Sequence, residues 1–101
     1  MITIVAIVES SAEDIDAMLR VIAEMETASR AEAGCQDYTF CQEVSNPSIL
    51  RINELWDSMD ALTAHFATPD MASFNAAIAA RPPKSMTLRI NELGEELSLP
   101  S

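Results

Sequence analysis

The stretch Glu54–Phe66, E-L-W-D-S-M-D-A-L-T-A-H-F, holds the chain's one tryptophan, Trp56, and its one histidine, His65. An imidazole near its ordinary pKa of ~6.5 is a base at neutral pH. An indole stacks on a flat ring and can donate its N–H to an oxygen. Nine residues apart across a predicted strand–helix junction, the two are candidates to border one pocket. A third group, the Tyr38 phenol, could hydrogen-bond an oxygen on which negative charge develops.

Other chemistries lack their residues. One histidine and two separated cysteines give no HxH, HExxH or CxxC spacing, so no metal site is expected. With only Gly34 and Gly94, neither a phosphate loop nor a dinucleotide fingerprint can form. No nucleophile elbow is present. Cys35 and Cys41 lie six residues apart. On one strand that is ~20 Å, well beyond the ~7 Å a disulfide allows. They read as free, buried structural thiols, which fits a reducing compartment.

The elements that must position these groups follow from the pattern. Ile2–Val8 is a β-branched run with apolar residues on both parities, a strand that needs cover on each face. Ser11 with Asp14 opens a helix running to about Ala33, with Ile15, Met18, Leu19, Ile22 and Met25 as its apolar stripe. Gly34 ends it. Cys35–Val44 is a second strand, with Tyr38, Phe40 and Val44 on one parity. Ser45–Ser48 turns into a third, Ile49–Trp56, in which Glu54 and Trp56 share a parity. Which way that parity points stays open here. A carboxylate at Glu54 facing the helices would need a partner, Arg89 or His65.

Asp57 and Ser58 cap a helix over Met59–Ala67, on which Leu62, His65 and Phe66 share a face. Leu62 and Phe66 are expected to face the sheet, with His65 on or beside them. After Pro69 the helical pattern resumes to Ala80 with Met71, Phe74 and Ile78, and Pro82-Pro83 stops it. Ser85–Leu93 is the fourth strand. Met18, Met25, Met59, Met71 and Met86 read as core filler. R-I-N-E-L recurs at Arg51 and Arg89, but it pairs strands three and four with unlike flanks, so it reads as reuse of an alternating pattern.

One domain is expected over residues 1–94, with an acidic tail at 95–101. Sixteen carboxylates stand against six scattered basic residues, which argues against nucleic acid or an anionic membrane as partner. No apolar run approaches the ~18 residues of a membrane span. Met1–Val5 lacks a basic region ahead of its apolar residues, so a cytoplasmic location is expected. The order β-α-β-β-α-β gives a ferredoxin-like α+β fold, an antiparallel sheet with helices on one face. The other face then needs a second copy, and a two-fold homodimer is the simplest closed solution.

G-C-Q-D-Y at Gly34–Tyr38, E-L-W at Glu54–Trp56, A-L-T-A-H-F at Ala61–Phe66 and P-D-M-A-S-F at Pro69–Phe74 resemble the antibiotic biosynthesis monooxygenase family over about residues 2–93. The resemblance implies a dimeric α+β barrel. It also implies oxygenation of quinols or anthrones by O₂ with no metal or flavin cofactor. Ile52 and Leu62 stand where anthrone oxidisers of the family carry an asparagine and a tyrosine, and strand one lacks the asparagine of heme-degrading relatives. The expectation is therefore a quinol-type oxygenase. Its substrate largely reacts by itself once deprotonated, so the protein supplies a base and a dry, shaped cavity.

On that reading His65 is the base, Trp56 contacts the ring and Tyr38 is an oxyanion donor. Phe66, Phe74, Leu62, Met25 and Asn53 are candidate substrate contacts. The alternatives are a dimeric module that binds a small aromatic molecule, or serves in stress, without turnover, and an isomerase using the same base. A lone histidine or tryptophan in a small core can equally be a packing residue.

Overall fold

The structure, a computed structural model, describes residues 1–100. Its elements are β1 (Ile2–Glu9), α1 (Ala12–Ala17), α2 (Leu19–Arg30), β2 (Cys35–Gln42), β3 (Ile49–Trp56), α3 (Met59–Phe66), α4 (Pro69–Ala80) and β4 (Ser85–Glu92). The four strands form one antiparallel sheet in the order β2-β3-β1-β4. This is the expected ferredoxin-like arrangement, with the helices packed on one face.

Strand register decides what faces the helices. Ile2, Ile4, Ala6 and Val8 of β1 are buried on that side. They pair across to Trp56, Glu54, Ile52 and Leu50 of β3, also buried. Met86, Leu88 and Ile90 of β4 lie on the same side, but β4 is an edge beyond the helix layer and they stay largely exposed. Met86 is therefore not core filler, nor is Met59, half-exposed at the start of α3, and only Met25 of the five is fully buried. The other face carries Val5, Ile7 and Leu55 among Arg51, Asn53 and Arg89. Val5 is 40% exposed there.

Two local devices matter for the site. The first predicted helix is two helices, broken at Met18 (φ −99°, ψ 0°), whose N–H is shared between Asp14 O and Ile15 O. Ser11 caps α1 through the Asp14 N–H, as expected. The break turns Leu19, at the edge of the predicted stripe, out to solvent, while Ile15, Ile22 and Met25 stay buried. α2 ends at Arg30, three residues before the predicted end.

Gly34 follows at φ +82°. A β-carbon there would lie 2.6 Å from the Ala61 Cβ, so the glycine serves both the left-handed turn and the close approach of α3. In β2 a bulge lies between Cys35 and Asp37. The extra residue brings Cys35 opposite Trp56 and Tyr38 opposite Glu54, both on the helix face. The strand stops at Gln42, which leaves Val44 fully exposed rather than paired. Residues 93–100 have no regular structure. The predicted tail also includes Ser101, which lies outside the described residues.

Candidate functional site

Trp56 is the last residue of β3. The chain turns at once, with the Asp57 N–H donating to Gly34 O at 2.8 Å. Ser58 then caps α3 by accepting the Ala61 N–H. This short corner brings α3 close against the Gly34 turn. Leu62 and His65, three residues apart, are the helix's buried residues. Phe66, expected to be buried, is 47% exposed at the rim. An imidazole takes the inner position because its burial is compensated: a buried polar group is tolerated when its hydrogen bonds are made.

That compensation comes from Glu32, in the turn after α2. Its two carboxylate oxygens lie 3.1 and 3.0 Å from His65 Nδ1. The imidazole packs on the Trp56 indole at a centroid distance of 4.7 Å and on the Tyr38 phenol ring at 5.3 Å. Trp56 is 0% exposed, and Tyr38 and His65 are each 1%. The three rings form one buried aromatic centre, in which Trp56 and His65, expected to border a pocket, instead pack directly on each other.

The electrostatics of this centre are tightly linked. The Trp56 indole N–H donates to Glu54 Oε1 at 2.9 Å. It is thus already engaged and is not free for a substrate oxygen. Burial pushes the Glu54 carboxyl above its ordinary range, and the Glu32 charge adds to this. The Trp56 hydrogen bond and the nearby His65 pull the other way. Burial, then the Glu54 charge, also raises the Tyr38 phenol far above its usual value. Tyr38 is therefore a neutral hydrogen-bond donor and not a base. The Ser29 hydroxyl, fully buried beside that phenol, works against the rise.

Next to the aromatic centre an apolar cleft opens between sheet and helices. Phe40, Ile52 and Phe74 line its inner part, and Ser10, Arg81 and Met86 its outer part. Its internal volume is about 30 Å³, room for a water or two. Phe40 and Ile52 pair in the strand row adjoining Tyr38 and Glu54. Rows of the same face repeat every ~6–7 Å. Tyr38 meets Phe40 edge-on at 5.6 Å, and Phe40 meets Phe74 at 5.6 Å. A line of aromatic rings thus connects His65 to the cleft, although His65 and Trp56 do not line it themselves.

The other predicted contacts divide. Phe74 lines the cleft, Leu62 packs in the core beside His65, and Met25 is buried between α2 and α4. Asn53 is exposed on the opposite face of the sheet, because its parity is that of Arg51 and Leu55. It is no part of this site. Cys35 is a half-buried free thiol near Trp56, whereas Cys41, expected to be buried, is exposed. Glu32 at the imidazole, and Phe40 and Arg81 in the cleft lining, hold positions that sequence reasoning did not assign. Among the described residues no cluster of three or more His, Cys, Asp or Glu is arranged to hold a metal ion. No helix of the described residues is long and apolar enough to cross a membrane.

The fold has close structural relatives. A candidate antibiotic biosynthesis monooxygenase from Deinococcus radiodurans matches over 100% of both chains with a TM-score of 0.90 and 24% identity. One from Caulobacter crescentus matches over 93% of this chain and 90% of its own, with a TM-score of 0.83 and 22% identity. A protein of Mycobacterium tuberculosis matches over 96% and 98%, with a TM-score of 0.83 and 21% identity. At these identities the likeness is one of fold. No protein of curated function matches the sequence. The sequence profile for antibiotic biosynthesis monooxygenases matches residues 1–77, which include Glu32, Tyr38, Glu54, Trp56 and His65, and the chain belongs to that family.

Proposed function

We propose that this protein is a cofactor-independent monooxygenase that oxidises a quinol or related polyphenolic ring with O₂, working as a homodimer. The observation that carries this reading is the carboxylate-held imidazole of His65, buried among aromatic rings beside an apolar cleft. Glu32 accepts from Nδ1–H, so the neutral ring keeps its lone pair on Nε2. When the cleft widens as far as His65, which does not line it in its closed form, that nitrogen takes a phenolic proton. The electron-rich anion passes an electron to O₂, the two radicals combine to a ring peroxide anion, and the imidazolium returns its proton to give the hydroperoxide. Loss of water leaves one oxygen atom on the ring. The neutral Tyr38 phenol donates to the substrate oxyanion.

The cleft must widen for a ring to enter, and its apolar inner walls favour a flat ring there. The partly exposed apolar residues Val5, Ile7 and Leu55 on the open sheet face support pairing with a second copy. The test is oxygen uptake with a series of hydroquinones, with and without a chelator. His65→Ala, shown to be folded by circular dichroism, is expected to lose at least ~100-fold in rate, the lower range for a general base. Undiminished uptake in that variant would remove His65 from the mechanism.

A second reading is a ring-binding module without turnover. The complete packing of Trp56 and the small present volume of the cleft favour it. Quenching of the single tryptophan by an aromatic ligand with no oxygen use would decide for this reading.

A further inference from the structure

The apolar cleft has one charged residue in its lining among the described residues, Arg81. It stands at the C-terminal end of α4, where the chain leaves the helix for Pro82-Pro83. Its Nη1 lies 3.1 Å from Asp14 Oδ1 in the first turn of α1. The pair ties α4 to α1 at the outer end of the cleft. Both side chains are substantially exposed, 50% and 37%. An ion pair so wetted contributes little, so exchanging one carboxylate for another at the guanidinium is an easy step.

We infer that the cleft takes a flat apolar molecule bearing one carboxylate or comparable anionic oxygen group, which displaces Asp14 from Arg81. Arg81 thereby determines specificity. The inference rests on the cleft being the ligand pocket of the proposed function, and it names that ligand's class. Three features support it. The inner walls, Phe40, Ile52, Phe74 and Ile22, offer only apolar contact, so they bury a ring but give a polar group no partner. A guanidinium holds a carboxylate through two parallel N–H donors, which fixes orientation as well as charge. The exchange also frees α1 from α4, and the cleft needs that opening to admit a ring. The ligand would lie with its anion at the mouth and its ring toward Phe40, one strand row from Tyr38.

The test uses 2-naphthoate and the isosteric neutral 2-naphthamide, titrated calorimetrically into the full chain. Wild type is expected to bind the carboxylate at least 10-fold more tightly than the amide. Arg81→Gln is expected to bring the two together, and Arg81→Lys to restore part of the preference. Asp14→Asn, which removes the competing carboxylate, is expected to tighten naphthoate binding several-fold. The same variants are checked for folding by circular dichroism. Equal affinity of wild type for both probes, binding of neither, or an undiminished carboxylate preference in Arg81→Gln overturns the assignment. The outcome is independent of turnover. A carboxylate preference lost in Arg81→Gln with no oxygen uptake on any quinol would retire the oxygenase and leave Arg81 in place. Oxygen uptake on a neutral quinol without a carboxylate preference would do the reverse.

Discussion

His65 and Glu32, thirty-three residues apart in sequence, meet with Nδ1 facing both carboxylate oxygens at 3.0 and 3.1 Å. A carboxylate can only accept, so this nitrogen carries the proton in the neutral ring. The chain has one histidine, which makes the ring nitrogens directly assignable by NMR. The expected spectrum of the neutral form is that of the Nδ1–H tautomer. In Glu32→Ala the preference should weaken, and urea unfolding should show a loss of about 1–3 kcal/mol for the orphaned buried nitrogen. A neutral ring protonated on Nε2 in wild type would refute the pairing.

Glu54 gives a prediction with a definite sign. Its folded carboxyl is held above the ordinary value, chiefly by burial. The folded state thus keeps its proton at pH values where the unfolded chain has released it. Its contribution to stability is present in full below the unfolded value of ~4.3 and is lost as pH rises through the folded value. Glu54→Gln retains an oxygen to accept from Trp56 Nε1 and cannot ionise. The variant should be more stable than wild type at neutral pH, by about 1–2 kcal/mol, and the advantage should vanish toward pH 4. Chemical denaturation across pH reads this directly. A variant less stable than wild type at pH 7 would show that the charge is compensated where it lies.

The corner that seats α3 depends on Gly34. Alanine there meets two obstacles, the positive φ of +82° and the Ala61 Cβ at 2.6 Å. Gly34→Ala should destabilise by about 2 kcal/mol or more. Adding Ala61→Gly removes the collision but not the strained backbone, so the double variant should recover only part of the loss. Full recovery would assign the whole cost to the collision, and no recovery would assign it to the backbone.

The strands were legible because alternation has period two and each strand is bounded by turn residues. Ile49–Trp56 is found with both ends as expected. Ser11 and Ser58 announced two helix starts through their capping positions. What escaped were contacts between elements. Nothing near His65 in sequence points to Glu32, since the carboxylate sits in the turn of another βα unit. The orientation of α3 was misjudged for a related reason. Hydrophobicity ranks Phe66 for the interior, but the paired imidazole of His65 takes the inner place. The bulge at Cys35–Asp37 shifts the face of every residue after it, and sequence alternation gives no sign of it. Asn53 was assigned to the site because the direction of strand parity is fixed only by tertiary packing.

The two cysteines report on both faces of the sheet. Cys35 sits on the helix face, and its thiol is pushed up by burial first and by the charges of Glu32, Glu54 and Asp37 next. Thiolate, the reactive form, is therefore scarce at neutral pH. Cys41 is exposed and pairs with Arg51 on the parity of the open face. A thiol reagent at pH 7.5 should label Cys41 quickly, and Cys35 should follow much more slowly, catching up once the chain is unfolded. The rate at Cys41 also tests the dimer. If a second copy covers the open face, labelling of Cys41 should slow as protein concentration rises, while Cys35 stays unchanged. A Cys41 rate independent of concentration, over a range in which sedimentation shows two-fold association, would place the contact elsewhere on the surface.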